Sequence, residues 1–389
     1  MLSNFETGII RLINSGLTAE KAILPPDFNL EHLYPIAKMH QIHALLYCGA
    51  IACGIKQEDP VMQKPFKGLY SELLTNEKQL NKYHELTALF EEKQIDYMPL
   101  KGVLLKELYP QPTMRCMGDI DILIRPSQYQ KIKSLLPSLG FHHVVDSDHE
   151  YIWRTDDDIS LELHKRLIPS YNKDYYAYFG DGWEKAKKEQ GTLYTLSPED
   201  NFIYLFTHFA KHYRDGGIGI KHFVDIKLYL EKQKPDQAYI CEEFKKLGLY
   251  EFYLNVADTI DVWFNGAEGN EKTDLISKTL IRSGTYGSSQ GKAAASVLRE
   301  AAQHPQRKTR FKWLRDLFPP YRAMCEKHAY LKKLPFLLPI AYLIRIAAIV
   351  LTPKKITKYL NHARAKTPHK VEEYERHLNA VGLAYHFKE

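Results

Sequence analysis

Residues 115–126 read RCMGDIDILIRP, and this stretch constrains the fold more than any other. Ile120, Ile122, Leu123 and Ile124 are strong strand formers. Side chains alternate between the faces of a strand, so Asp119 and Asp121 point the same way. Two carboxylates on one face of an apolar strand are costly to bury unless something positive sits between them. For hard oxygen ligands the usual partner is a divalent cation. The competing reading is a pair of exposed aspartates on an edge strand, and the metal reading outweighs it.

A second strand carries a third acid. In ISLELHK, Ile159, Leu161 and Leu163 fall on one face, and Ser160, Glu162 and His164 on the other. It forms a hairpin with HEYIWRT around the turn TDDD, so Asp156, Asp157 and Asp158 read as turn residues rather than ligands. Alone, Glu162 would be assigned to a solvated hairpin face. Beside Asp119 and Asp121 it completes a layout that can hold divalent ions, clamp a triphosphate and assist an attacking hydroxyl. Upstream, MPLKG places Lys101 and Gly102 between a strand and a helix start. Free N–H groups there suit a phosphate, and the glycine permits close approach. An ordinary surface lysine beside a helix-start glycine is the simpler alternative.

The surrounding pattern is helical. Ser3 and Glu6 fit a capping box, and apolar residues recur at helical spacing over 30–52 and 62–93. From 94 to 196 the order is strand, helix, strand, helix, hairpin. From 197 to 389 the chain returns to helices, broken at Gly216, Gly217 and Gly219 and again at RSGTYGSSQGK. The expected organisation is therefore an α+β chain: helices over 1–93, a small mixed-sheet core over 94–196 and helices over 197–389.

Within THFAKHYRDGGIGIKHFVDI, His208, Lys211 and His212 share one helix face, and Lys221 lies one turn before Asp225. One reading is a basic wall over a triphosphate or base, with Asp225 fixing one of the cations. A polar interhelical cluster is the alternative. Zinc on the two histidines ranks below both, because no HExxH pattern follows. Arg115 either reaches a phosphate or pairs with an acid.

Net charge is +6 over 389 residues, with a pI near 8.7. That suits a polyanionic ligand such as a nucleotide and is too weak to argue for duplex DNA. Five scattered cysteines without a CxxC pair point to a reducing, cytoplasmic setting. The N-terminal MLSNFETGIIRLINSG lacks the form of a signal peptide. Residues 334–351, LPFLLPIAYLIRIAAIVL, are interrupted by Pro335, Pro339 and Arg345. They read as a buried core helix rather than a membrane span. A membrane-surface helix flanked by Lys332, Lys333, Lys354 and Lys355 is the alternative.

PLKGVLLKELYP, MRCMGDIDILI and LELHKRL together resemble the bacterial uncharacterised nucleotidyltransferases of the nucleotidyltransferase-fold superfamily, with further matches over 207–212, 221–226 and 284–287. The resemblance implies a nucleotidyltransferase core. It implies Asp119 and Asp121 as the paired acids and Glu162 as the third, together holding Mg²⁺ (or Mn²⁺). Lys101, Gly102, Arg115, His164, His208, Lys211, His212 and Lys221 then fall to nucleotide binding. Many superfamily members carry Gly-Ser where this chain has Lys101-Gly102, which implies that phosphate binding is altered or lost here. The expected activity transfers NMP from an NTP to a hydroxyl, with loss of pyrophosphate. A small molecule or protein side chain is favoured as acceptor over an RNA end. The alternatives are a nucleotide-binding module that no longer turns over, and a membrane-peripheral protein of envelope polysaccharide assembly.

Overall fold

A computed structural model describes residues 2–303, 318–352, 357, 361 and 364–385. Helix α1 (Asn4–Thr18) begins with the expected reciprocal cap between Ser3 and Glu6. It buries Ile9, Leu12 and Ile13. Helix α2 (Leu33–His40) leads into α3 (His43–Ala52), which packs against α1. The two helices touch through glycines. A Cβ on Gly16 would collide with the Leu45 carbonyl, and one on Gly49 with the Leu12 carbonyl. Any larger residue would force the pair apart. Helix α4 (Gln63–Glu92) runs for 30 residues, about 45 Å at the α-helical rise.

The chain then enters a mixed sheet, seven-stranded among the described residues, in the order β3-β4-β5-β2-β1-β7-β6. The strands are β1 (Tyr97–Pro99), β2 (Ile120–Ile124), β3 (His142–Asp146), β4 (Glu150–Arg154), β5 (Ser160–His164), β6 (Lys187–Gln190) and β7 (Leu193–Thr195). The short helices α5 (Gly102–Leu105), α6 (Tyr129–Leu135) and α7 (Lys173–Phe179) lie between them. Strand β2 sits in the middle, antiparallel to β1 and parallel to β5, so Asp121 is not on an edge. The sequence pattern reaches β1, β2, β4 and β5. It misses β3, whose side chains are all exposed, and the β6–β7 hairpin, whose LYT strand is only half-buried. Neither presents the apolar alternation that marks a strand from sequence.

The two sheet faces differ in character. Ile120, Ile122, Ile124, Leu161, Leu163 and Trp153 face a core completed by Leu86 and Phe90 of α4 and by Ile132 of α6. The opposite face carries the acids and looks toward α8 (Pro198–Arg214) and α9 (Ile220–Gln233), which follow the sheet. These two helices belong to a larger core that includes Phe202, Phe206, Phe209, Phe223 and Val224.

The segment 334–351 is not a core helix. Its α-helical part, Leu338–Val350, leaves Ile340, Leu343 and Ile344 exposed, with Phe336 beside it 72% exposed. Among the helix residues whose burial is described, only Ala341 is fully buried, in a small separate cluster with Met324, Cys325 and Leu331. Pro335 lies in the 3₁₀ turn before the helix and Pro339 in its first turn, where proline is tolerated. Lys354 and Lys355 lie outside the described residues. Among those residues, no helix is long and apolar enough to cross a membrane.

Candidate active site

Register brings the acids together. Asp121 pairs with Glu162 across the parallel β2–β5 ladder, and Glu150 pairs with His164 across β4–β5. Cross-strand partners share a face, so one side of the sheet gathers Asp121, Glu162, His164 and Glu150. Asp119 joins them from the residue pair that precedes β2. All five line a cavity of about 360 Å³ closed on the far side by α8 and α9.

The lead-in to β2 is held by buried polar groups. Asn76 and Gln79 of α4 donate to the Arg115 and Met117 carbonyls at 3.3 and 3.4 Å, and Lys106 donates to Asn76 Oδ1 at 3.0 Å. Arg115 makes a two-pronged pair with Asp225 of α9, Nε to Oδ1 at 2.8 Å and Nη2 to Oδ2 at 2.9 Å. Tyr109 adds a third hydrogen bond to Asp225 Oδ1. The cation that Asp225 fixes is thus Arg115. The third guanidinium nitrogen of Arg115 borders Gly102, where a Cβ would stand 3.2 Å from it. Lys221 donates instead to Gln41 and to the Cys116 carbonyl.

Asp121 is the hub. Its Oδ1 accepts from Lys101 Nζ at 2.8 Å and from His164 Nε2 at 2.7 Å. Burial would raise its pKa, but Lys101 and His164 overcome that and hold it well below the usual carboxylate range. Its neighbours bear the consequence. The Asp121 charge, with burial, pushes Asp119 up to about 6. Burial, with the charges of Asp121 and Asp119, pushes Glu162 up to about 9. Three acids this close do not ionise together without added positive charge.

Lys101 reaches Asp121 from a strained backbone, with φ +45° and ψ −107°. That conformation resembles the first central position of a type II′ turn, which favours glycine. A lysine held there directly before Gly102 is a constraint of the sort that clusters at functional sites.

The wall from α8 and α9 is basic only at its lysines. His208 and His212 meet edge to face with their Nε2 atoms 3.1 Å apart. Burial and nearby cations, Lys101 first for His208 and Lys211 first for His212, drive both well below the ordinary histidine range. His222 is pushed down to about 3 by burial and Lys221. These rings are neutral donors and acceptors, while Lys211, lowered to about 8 by burial and by Lys101, keeps its charge at neutral pH.

The structure thus brings every sequence-predicted site residue to one cavity. It also adds His149, Glu150, Gln41, His222, Thr285 and Tyr286 to the lining. Glu150 was within reach of sequence reasoning: Tyr151 and Trp153 alternate toward the core, which turns Glu150 to the acidic face. Gln41 arrives from a distant helix end, and nothing local marks it. Thr285 and Tyr286 come from the Gly284–Ser288 loop, which has the composition of an ordinary turn.

Asp121, Glu162 and His164 present ligand atoms within 4.8 Å of one another. The donor set is mostly hard carboxylate oxygen, and the raised values of Asp119 and Glu162 mark negative charge that lacks compensation. The residues present therefore fit a divalent cation. A family model described as uncharacterised nucleotidyltransferase matches residues 26–265. No curated protein and no solved structure matches the chain.

Proposed function

The chain belongs to the uncharacterised nucleotidyltransferase family, and on that premise we propose that it transfers NMP from an NTP to an acceptor hydroxyl, with release of pyrophosphate. The observation that carries the reading is the cross-strand pair Asp121–Glu162, with Asp119 beside it, sharing one cavity with Lys101, Lys211 and Lys221. Mg²⁺ (or Mn²⁺), held by Asp119, Asp121 and Glu162, would neutralise the acids and polarise the α-phosphate.

The chain's own residues supply the rest. Lys101, Lys211 and Lys221 converge on the cavity as counter-charges for a triphosphate. Gly102 leaves its backbone N–H open to a phosphate oxygen, and the free edge of the Arg115 guanidinium lies next to it. His208 and His212, being neutral, offer ring faces and hydrogen bonds to a base or sugar without adding charge. His164 holds Asp121 in place. The acceptor oxygen attacks the α-phosphorus, the bond to the pyrophosphate oxygen breaks, and the hydroxyl proton passes to the Glu162 carboxylate once that group is ionised. The mild net charge and the lack of an aromatic-basic RNA-binding pattern favour a small molecule or protein side chain as acceptor over an RNA end. The setting we assign is cytoplasmic.

Two labels test this. With NTP labelled at the α-phosphate, a cell extract as acceptor source and Mg²⁺, label should pass to an acceptor. With the γ-phosphate labelled it should not. Transfer from the γ position would make the protein a phosphotransferase. No transfer from either, with nucleotide still bound, would favour a binding module that no longer turns over.

A second reading has its own observation. Phe336, Ile340, Leu343 and Ile344 recur at helical spacing on an exposed face beside Lys332 and Lys333. That face suits contact with an anionic membrane surface, as envelope polysaccharide assembly would need. Flotation with anionic liposomes should carry the wild-type protein and leave Ile340→Asp/Leu343→Asp behind. Equal flotation of both would dismiss it.

A further inference from the structure

We propose a second metal site, formed by His149, Glu150 and His164, that takes a borderline transition-metal ion such as Zn²⁺ or Co²⁺ in preference to Mg²⁺. It adjoins the carboxylate cluster but has a different donor set.

The three residues present ligand atoms that all lie within 4.8 Å of one another. Around a tetrahedral ion with bonds near 2.1 Å, ligand atoms stand about 3.4 Å apart, so a small contraction closes the site. His149 Nε2 already lies 3.0 Å from Glu150 Oε2. The backbone fixes this pair: Ser147 Oγ accepts from the Glu150 N–H at 3.2 Å, and the His149 carbonyl accepts from the Lys165 N–H at 2.7 Å. Both residues are thereby anchored at the mouth of the β4–β5 hairpin. Ser147 Oγ also lies 3.5 Å from His149 Nδ1, which leaves Nε2 as the outward nitrogen.

His164 supplies the independent observation. Its side chain is 3% exposed, and its Nε2 lies 2.7 Å from the Asp121 carboxylate. An ionised carboxylate accepts, so Nε2 carries the proton and Nδ1 is left with a lone pair. That Nδ1 is buried and has no hydrogen-bond partner among the described residues. A buried lone pair without a donor is costly, and a metal ion satisfies it. Carboxylate, imidazole and metal in line is the usual way in which a ligating histidine is oriented.

Two imidazoles and one carboxylate suit zinc, cobalt or iron better than magnesium. Three protein ligands leave a fourth position, and the site lines the same cavity as the acids. The pair His208 and His212 is the rival for such an ion. Among the described residues no third histidine, cysteine or acid joins them at ligand distance.

The test contains no nucleotide, so its failure would leave nucleotidyl transfer standing. The chelator-stripped full chain is titrated with Co²⁺ in excess Mg²⁺, following heat and the visible absorption of the cobalt. One equivalent should bind, with a spectrum that reports nitrogen ligands. His149→Ala and the shape-conserving Glu150→Gln should each weaken binding at least about tenfold, and Asp119→Asn should retain it. Displacement of Co²⁺ by Mg²⁺, or unchanged binding in both His149→Ala and Glu150→Gln, would overturn the proposal.

Discussion

Lys101 combines two costs that substitution can separate. Its ammonium pairs with the buried Asp121, and its backbone sits at φ +45°. Lys101→Ala and Lys101→Gly both delete the ammonium. His164 still donates to Asp121 in either variant. The shared loss therefore falls toward the low end of the roughly 3–5 kcal/mol expected when one partner of a buried pair is removed. The variants differ in the backbone. Alanine keeps a strain of about 1–3 kcal/mol, whereas glycine relieves it and gives back about 0.5–1 kcal/mol in chain entropy. Lys101→Gly should thus be more stable than Lys101→Ala by about 1–2 kcal/mol. Urea unfolding of the metal-free proteins, compared at equal m-values, measures the gap. If alanine matches or exceeds glycine, the backbone of Lys101 is not strained and the argument for a held conformation fails.

Glu162 makes metal-free stability depend on pH. Its folded pKa, about 9, lies above the ordinary glutamate value of 4.5. Between pH 6.5 and 8 the folded state therefore holds a proton that the unfolded state has lost. The contribution of Glu162 to stability should fall through that window by at most about 1.4 kcal/mol per pH unit. In the same window His208, His212 and His222 are neutral when folded but partly protonated when unfolded, which adds an opposing upward trend shared by wild type and Glu162→Gln. Thermal melts should therefore show wild type losing stability relative to Glu162→Gln as pH rises through this window, and parallel pH profiles for the two proteins would refute the assignment. Mn²⁺ binding needs the ionised acids, so its affinity should rise over the same window in a titration, and a fall would speak against the carboxylate site. Asp225→Ala strands the buried Arg115 and should cost about 3–5 kcal/mol in urea unfolding. A loss below about 1 kcal/mol would show that this pair does not hold the lead-in to β2.

How much was legible in the sequence follows from where the signals were local. The face shared by Asp119 and Asp121 is a property of strand alternation, and Glu162 and His164 follow from the same rule one hairpin later. The helix cap at Ser3, the glycine break after Arg214 and the turn at Asp158 all rest on neighbours within a few residues. What was not legible depends on contacts between distant segments. The pairing of Arg115 with Asp225 and of Lys101 with Asp121 requires the register of the sheet and the placement of α9. The neutral state of the histidine wall depends on burial that no spacing encodes. Residues 334–351 misled for the opposite reason: a run of apolar residues looks the same whether its face is covered or bare.

The central claim is that the acids and lysines of this cavity bind a metal–NTP complex. The direct measurement is the melting temperature of the wild-type protein and of Asp119→Asn/Asp121→Asn, with each of the four NTPs, with and without Mg²⁺. A ligand at 100 times its Kd stabilises the native state by roughly 2.7 kcal/mol. The account predicts a metal-dependent rise with at least one NTP in the wild type and none in the double variant. An equal rise in both proteins, or a flat response to every NTP with metal present, would contradict it.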